Sequence, residues 1–516
     1  MQDIIIRGGR VVDGTGAPGY IADVAVKDGQ ITAIGDLSGM EAAKTLDAAG
    51  LVVAPGFIDS HAHSDTSFLR DDSGASKLYQ GVTTEVTGQC GSSPFPTFPG
   101  PGEDWPCASF EAFLDRFERE GRKMAVNQAI LVGHGALREA VAGCVDRPLT
   151  PDELSRMKDL LRRDMEAGAW GMSLGLEYAP GCFADEAELA ALGAVVAEYG
   201  GLVPCHMRSE GLRIDEAIDE LLNVGRASGV RVHVSHLKLD NYRVHGRAEA
   251  VWEKLERAKG EGVRVSADMY PYAASSTTLS IRCPKWSLDG GSAALVERLR
   301  GPRRGEIVEG IRAHYFDAER AETCLISDDR GYWPQIVGKT LRQVAEDMLR
   351  TTDYAEAAAE ILERTRGEAW GIFFVMSEAD MLAFLAHDVG IGSDGYALPG
   401  DPSKLDFKPH PRSYGALAEF FRLAREKKLC ALEEAVRRVT SKPADMIGLR
   451  DRGRLTEGMV ADITVFDPGT IAPRATYLEP VQLAQGVRHV LIGGRLALED
   501  GKQTALRAGQ FLRKRG

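Results

Sequence analysis

Eight short apolar stretches, at 51–58, 82–87, 126–132, 170–175, 202–208, 231–238, 263–269 and 390–396, punctuate the middle of this chain. Helical patterns fill the gaps at 72–80, 109–121, 151–167, 185–199, 212–228 and 248–260. Thr150-Pro151-Asp152-Glu153 opens one of them with a capping threonine and a proline at the first helical position. Strands alternating with helices build a parallel sheet covered by helices. Eight strands suit a closed (β/α)8 barrel of the TIM type, with an open doubly wound sheet as the competing arrangement.

The rest of the chain is organised around that middle. About 120 residues separate the seventh and eighth strands, too many for a structureless loop. They contain Trp286, Trp333, helical patterns near 338–350 and 354–366, and the run Ile372-Phe373-Phe374-Val375. We read an inserted subdomain at 281–350, covering the C-terminal face of the barrel. Both ends of the chain are strand-rich. Asp28-Gly29 between apolar runs is a hairpin signal, and 458–466 and 487–498 have the same texture near the C-terminus. Residues 1–54 and 453–516 are therefore expected to form one small β domain, a sandwich built from both termini. That leaves 55–280 and 351–452 for the barrel.

Composition narrows the partners. The formal charge of -13 argues against non-specific binding to nucleic acid or an anionic membrane. Met1 to Arg7 already reads as a strand, with no basic segment and apolar core of a signal peptide. No run reaches the ~18 apolar residues of a membrane span. The eight cysteines form no CxxC pair or regular framework. The expectation is a cytoplasmic protein with a small-molecule partner, neither nucleic acid nor membrane; nothing here sets the oligomeric state.

In a barrel the chemistry sits where the strands end. Strand 1 runs into His61-Ala62-His63, strand 2 into Gln89-Cys90-Gly91, strand 5 into Cys205-His206, strand 6 into Ser235-His236-Leu237-Lys238, and strand 8 into Ser393-Asp394-Gly395. Five strands thus bring His, Cys or Asp to one rim, and those are metal-ligand types. Side chains alternate along a strand. On that rule His236 shares a face with Val234 and Lys238, His233 points to the helix layer, and Cys205 is structural while His206 faces inward. His245, His314, His387 and His489 read as ordinary polar residues, and His134 as an outer neighbour of the site.

These residues carry a resemblance. The chain resembles the amidohydrolase superfamily and, within it, the D-aminoacylases, which are N-acyl-D-amino-acid deacylases. The matching pieces run in order from Gly56-Phe57-Ile58-Asp59-Ser60-His61-Ala62-His63 through Cys90-Gly91, Ser173 to Gly181, His206-Met207-Arg208, Ser235-His236, Asp268-Met269-Tyr270-Pro271-Tyr272 and Gly392-Ser393-Asp394-Gly395 to His410-Pro411-Arg412. The resemblance implies the barrel, the β domain and a site-covering insert. It implies a tightly held zinc on Cys90, His206 and His236, and a second, weaker position on His61, His63 and Asp394 with Cys90 between the two. Strand 4 has no lysine to bridge two metals, which fits the cysteine variant. By the same resemblance Arg412, Tyr270 and Ser276 would hold an α-carboxylate and Tyr178 would line the pocket, while Lys238 either reaches substrate or forms a structural ion pair. The implied reaction is zinc-dependent hydrolysis of N-acyl-D-amino acids by metal-activated water, with Asp394 as general base and then acid. The alternative is another amidohydrolase reaction on a small amide, such as ring opening of a hydantoin.

Overall fold

Parallel pairing closes the barrel. The computed structural model describes residues 1–98 and 105–514; the last two residues of the expected C-terminal piece, 515–516, lie outside them. The staves are β1 (Phe57–Asp59), β2 (Val82–Thr87), β3 (Asn127–Ile130, continued by Val132–Gly133), β4 (Met172–Gly175), β5 (Leu202–His206), β6 (Arg231–Val234), β7 (Val265–Met269) and β8 (Gly390–Ile391). Each lies parallel to the next, and a parallel bridge from Ala62 to Gly395 joins the end of β8 to the end of β1. An open doubly wound sheet would leave two edges at that point.

The staves are shorter than the apolar stretches that mark them. The stretch 51–58 is two strands, not one. Val52–Pro55 pairs with Gln2–Val11 and Ile463–Phe466 in the small domain, and the chain enters the barrel only at Phe57. Gly56 sits at the break, where a Cβ would come within 2.2 Å of the Thr83 hydroxyl. β6 ends at Val234 and β8 at Ile391, so His236 and Asp394 lie beyond regular strand.

Helices pack their apolar faces around the barrel in one continuous core, with Val203, Val232, Val234, Ala267 and Ile391 facing helix residues such as Leu161, Leu192, Leu221 and Leu255. The helix Pro151–Glu166 carries the expected start: Thr150 Oγ1 accepts from the Glu153 amide at 3.2 Å, and Glu153 Oε2 accepts from the Thr150 amide at 2.8 Å. Such a reciprocal cap stabilises a helix by about 1 kcal/mol.

The small domain is a nine-stranded sheet drawn from both termini. Ile6 and Val24 from the N-terminal strands share one core with Ile463 and Leu491 from the C-terminal ones. Asp28 and Gly29 both have positive φ, 50° and 78°, as a two-residue hairpin turn requires. Between β7 and β8 stands a module with its own core, including Leu299, Ile311, Ile326 and Leu362. Its three-stranded sheet pairs Ser275–Thr278 and Cys324–Asp328 with Trp370–Phe373. The expected limits 281–350 are therefore too narrow, because the central strand Trp370–Phe373 and one outer strand, Ser275–Thr278, come from chain segments outside them.

Candidate active site

The ends of β1, β2, β5, β6 and β8 bring six donor side chains together. His63 Nε2 lies 3.0 Å from Asp394 Oδ1, and His61 Nε2 lies 3.6 Å from the same oxygen. Cys90 Sγ lies 3.4 Å from His61 Nε2 and 3.3 Å from His236 Nε2. His206 Nδ1 completes the row at 3.0 Å from His236 Nε2. Cys90 therefore sits between two groups: His61, His63 and Asp394 on one side, His206 and His236 on the other.

Backbone turns aim these side chains. Cys90, His236 and Asp394 have φ of 55°, 36° and 50°, a region that non-glycine residues adopt at a cost of about 1–3 kcal/mol. Each follows the end of a stave. The turn re-aims its side chain across the barrel mouth instead of continuing the alternation. Gly175 makes room for the Cys90 turn, since a Cβ there would stand 2.0 Å from the Cys90 carbonyl oxygen.

The same turns overturn one expectation. His233 does not face the helix layer. Its Nδ1 bonds to the Ser266 hydroxyl at 2.7 Å, and its Nε2 lies 3.0 Å from Asp268 inside the barrel, close but poorly aligned for a hydrogen bond. It is Val234 that packs outward. The alternation rule assumed a regular strand through residue 238, and the strand stops at 234. On β5, which is regular to His206, the rule holds: Cys205 lies in the helix-layer core and His206 in the site.

Three carboxylates that sequence reasoning gave no role hold the histidines, two at the ring and one at the backbone. Glu177 Oε2 meets His206 Nε2 at 3.0 Å. Glu210 Oε1 meets His236 Nδ1 at 2.9 Å. Asp268 Oδ1 accepts from the His236 amide at 2.6 Å. A carboxylate on the far ring nitrogen sets the tautomer, leaving the near nitrogen with a free lone pair. Burial favours the neutral forms: it pushes the Cys90 thiol well above its usual range and His61 well below the usual imidazole value. Burial alone would raise Asp394 too, but the Arg412 guanidinium and the surrounding imidazoles hold its carboxyl well below the usual carboxylate range.

This donor set fits a metal. Imidazole nitrogens, a buried sulfur and a carboxylate oxygen converge on one another. His61, Cys90, His236 and Asp394 each offer a ligand atom within 4.8 Å of the others, and His206, Glu210 and His236 do the same. Nitrogen, sulfur and one oxygen donor in a compact cluster match the preferences of zinc.

The other expected residues divide. Ser276, Lys238, Tyr178 and Arg412 line one cavity of about 1000 Å³ together with the ligand cluster. Arg412 begins the helix Arg412–Lys427; its Nη1 lies 2.8 Å from Asp394 Oδ2 and its Nη2 donates to the Ser276 carbonyl at 3.2 Å. Lys238 is ion-paired to Glu210 at 2.5 Å and also lines the cavity, so both expectations for it apply. The Tyr178 hydroxyl accepts from Thr277 at 3.0 Å. Tyr270 is not in the cavity wall. It lies beneath Arg412, whose guanidinium is 4.8 Å from the ring centre, and its hydroxyl faces the Met376 sulfur at 3.8 Å. His134 bonds to buried Glu188 at 2.8 Å, away from the ligand cluster. Arg282, which sequence reasoning missed, lines the cavity from the module, packed over Phe373 and beside Tyr315; its nearest carboxylate is Asp240 at 3.9 Å. A lone arginine in an irregular segment carries no sequence signal.

Comparison with known proteins agrees with this geometry. Residues 44–323 and 389–497 match the model of the amidohydrolase family. The chain is 34% identical over 522 residues to an N-acyl-D-glutamate deacylase of Alcaligenes xylosoxydans xylosoxydans, spanning 99% of this chain and 96% of that one. It is 34% identical over 520 residues to a D-aminoacylase of the same organism, spanning 99% and 97%. Among solved structures it superposes with a TM-score of 0.84, at 34% identity over 99% of each chain, on N-acyl-D-glutamate deacylase from Bordetella bronchiseptica, which was complexed with zinc and a phosphonate inhibitor that mimics the tetrahedral intermediate.

Proposed function

The chain belongs to the amidohydrolase family, and from that membership we propose that it hydrolyses N-acyl-D-amino acids with acidic side chains to a carboxylate and a free D-amino acid. The observation that carries this reading is the Cys90 sulfur, 3.4 and 3.3 Å from imidazole nitrogens on its two sides, with Asp394 and Arg412 beside it.

Cys90, His206 and His236 would hold a tightly bound zinc, and His61, His63 and Asp394 a second, weaker one. When bound, zinc supplies Lewis acidity toward the amide carbonyl and the attacking water. Asp394 stands where it can accept the proton of that water and pass it to the leaving nitrogen. Both transfers are needed, because an amide anion is a very poor leaving group. Glu177 and Glu210 keep His206 and His236 aimed. Arg412 now faces Asp394 at 2.8 Å; a substrate α-carboxylate would take that guanidinium, supported by the Ser276 hydroxyl. A planar guanidinium fork suits a carboxylate, and Tyr270 beneath it fixes the plane.

The acidic side chain is read from Arg282. A guanidinium whose side chain is only 10% exposed, facing a cavity with its nearest carboxylate 3.9 Å away, is a half-made ion pair. A second carboxylate completes it. Two of the relatives' names point the same way, being deacylases of N-acyl-D-glutamate and N-acyl-D-aspartate.

The test is release of free amine from N-acetyl-D-glutamate, N-acetyl-L-glutamate and N-acetyl-D-leucine, before and after chelation. The D-glutamate compound should be cleaved fastest, with activity lost on chelation and restored by zinc. Asp394→Asn should lower kcat by about 10²–10⁴-fold. Equal turnover of both enantiomers, or full activity in Asp394→Asn, would rule the reading out.

A further inference from the structure

We propose that the half of the cavity opposite Arg412 binds the acyl group, and that this group is an uncharged medium-chain fatty acyl chain rather than acetyl. The proposal rests on the function given above and adds the acyl specificity of the same site.

The order of staves divides the cavity. Lys238, Ser276, Arg282 and Arg412 enter it from β6, the module and the segment after β8. Leu69, Pro94, Pro96, Trp105, Ala136 and Ala140 enter it from the segments after β1, β2 and β3, across the barrel mouth. The ligand cluster lies between. The two substituents of an amide carbonyl point away from each other, so a substrate held by Arg412 sends its acyl chain toward the β1–β3 side.

That side sets an apolar wall beside the hydroxyls of Thr66, Ser92, Ser93 and Thr97 and offers no cation among the described residues. No lysine or arginine is among the described residues that line it; its charges are the carboxyls of Asp65 and Glu139. A dicarboxylic acyl group would meet like charge there and no cation. Trp105 is 8% exposed and wedged edge-on against Phe68 and Phe113, with ring centres at 5.6 and 5.2 Å, so this wall is rigid. Ala136 and Ala140 are one turn apart on the helix His134–Ala142 and give the space only methyl groups, with the exposed Glu139 of the same helix at its border. A cavity of about 1000 Å³ is at the upper end of those that enclose drug-sized ligands. An acetyl group would leave this apolar wall in water. Each methylene buried against it raises kcat/KM by roughly three- to fourfold.

The experiment compares N-acetyl-, N-butanoyl-, N-hexanoyl- and N-succinyl-D-glutamate as substrates of the zinc-loaded full-length enzyme. The expected order of kcat/KM is hexanoyl over butanoyl over acetyl over succinyl, with hexanoyl at least tenfold above acetyl. Ala140→Phe, which fills the lobe, should cut the hexanoyl-to-acetyl ratio at least fivefold. A hexanoyl rate no better than acetyl, a preference for succinyl, or an unchanged ratio in Ala140→Phe overturns the acyl proposal while leaving deacylation standing. Failure of all four substrates overturns the function on which it rests, and the acyl proposal with it.

Discussion

Lys77 Nζ lies 2.7 Å from Asp59 Oδ2, and both side chains are fully buried beneath the histidine pair. The same ammonium donates to Ser393 Oγ at 2.8 Å and lies 3.0 Å from Glu85 Oε1. Asp59 in turn accepts from the Ser393 amide at 2.7 Å and the His61 amide at 3.2 Å. One lysine therefore ties the strand end that carries His61 to the strand end that carries Asp394. Burial alone would lower the Lys77 pKa, but Asp59 and Glu85 outweigh it and keep the group charged.

Lys77→Met should leave two buried carboxylates without their cation. Removing one partner of a buried pair costs about 3–5 kcal/mol. Urea unfolding of the parent and the variant measures the difference, and a loss under 1 kcal/mol would contradict the role assigned to Lys77.

Glu177→Gln should weaken zinc at the tight position. The amide can still bond to His206 Nε2 but no longer raises the basicity of the imidazole. Loss of such an orienting carboxylate costs typically 10–100-fold in metal affinity. Competition with a chromophoric chelator reads the affinity directly, without reference to turnover.

Arg282→Met should change which amino acid is preferred. A hydrogen bond to a charged group contributes about 1.5–3 kcal/mol. The kcat/KM ratio of N-acetyl-D-glutamate to N-acetyl-D-leucine should therefore fall roughly 10- to 100-fold. Steady-state kinetics on the two substrates decide it, and an unchanged ratio would remove Arg282 from substrate recognition.

Glu188 supplies a test of pH dependence away from the ligand cluster. It is buried, which alone would raise its pKa, but His134 and Arg138 outweigh burial and lower it. A carboxylate with a depressed folded pKa contributes stability that is complete above its unfolded pKa of about 4.3 and is lost as pH falls through the folded value. Glu188→Gln should therefore be destabilised by about 3 kcal/mol at neutral pH. The gap to the parent should narrow below about pH 4. Denaturant titrations at pH 7 and pH 3.5 measure both.

The barrel and most of the candidate ligand set are legible in the order of residues because both depend on local signals. Short apolar runs end in His, Cys or Asp, and a strand end places its next residues at the rim. His206 was readable against Cys205 because β5 stays regular through the pair. The alternation pattern points His233 the wrong way because the backbone turns after Val234, and a positive φ at His236 leaves no mark in a strand pattern. Glu177, Glu210 and Lys77 were passed over because charged residues beside a strand or helix usually face water. Arg282 stood alone in an irregular segment, and only the fold of the module brings it to the cavity.

Taken alone, the amino-acid order determined the eight-stave alternation, the split β domain and the chemical types at the strand ends, because propensity and periodicity act over a few residues. Tertiary structure decided which of those groups meet. His63 and Asp394 are 331 positions apart and come within 3.0 Å only because the barrel closes between β8 and β1. Burial at that closure favours neutral His61, His236 and Cys90, and the fold aims Glu177 and Glu210 at the rings and sets the apolar wall across the mouth from Arg412. No local pattern encodes these contacts, because each depends on segments brought together by chain closure.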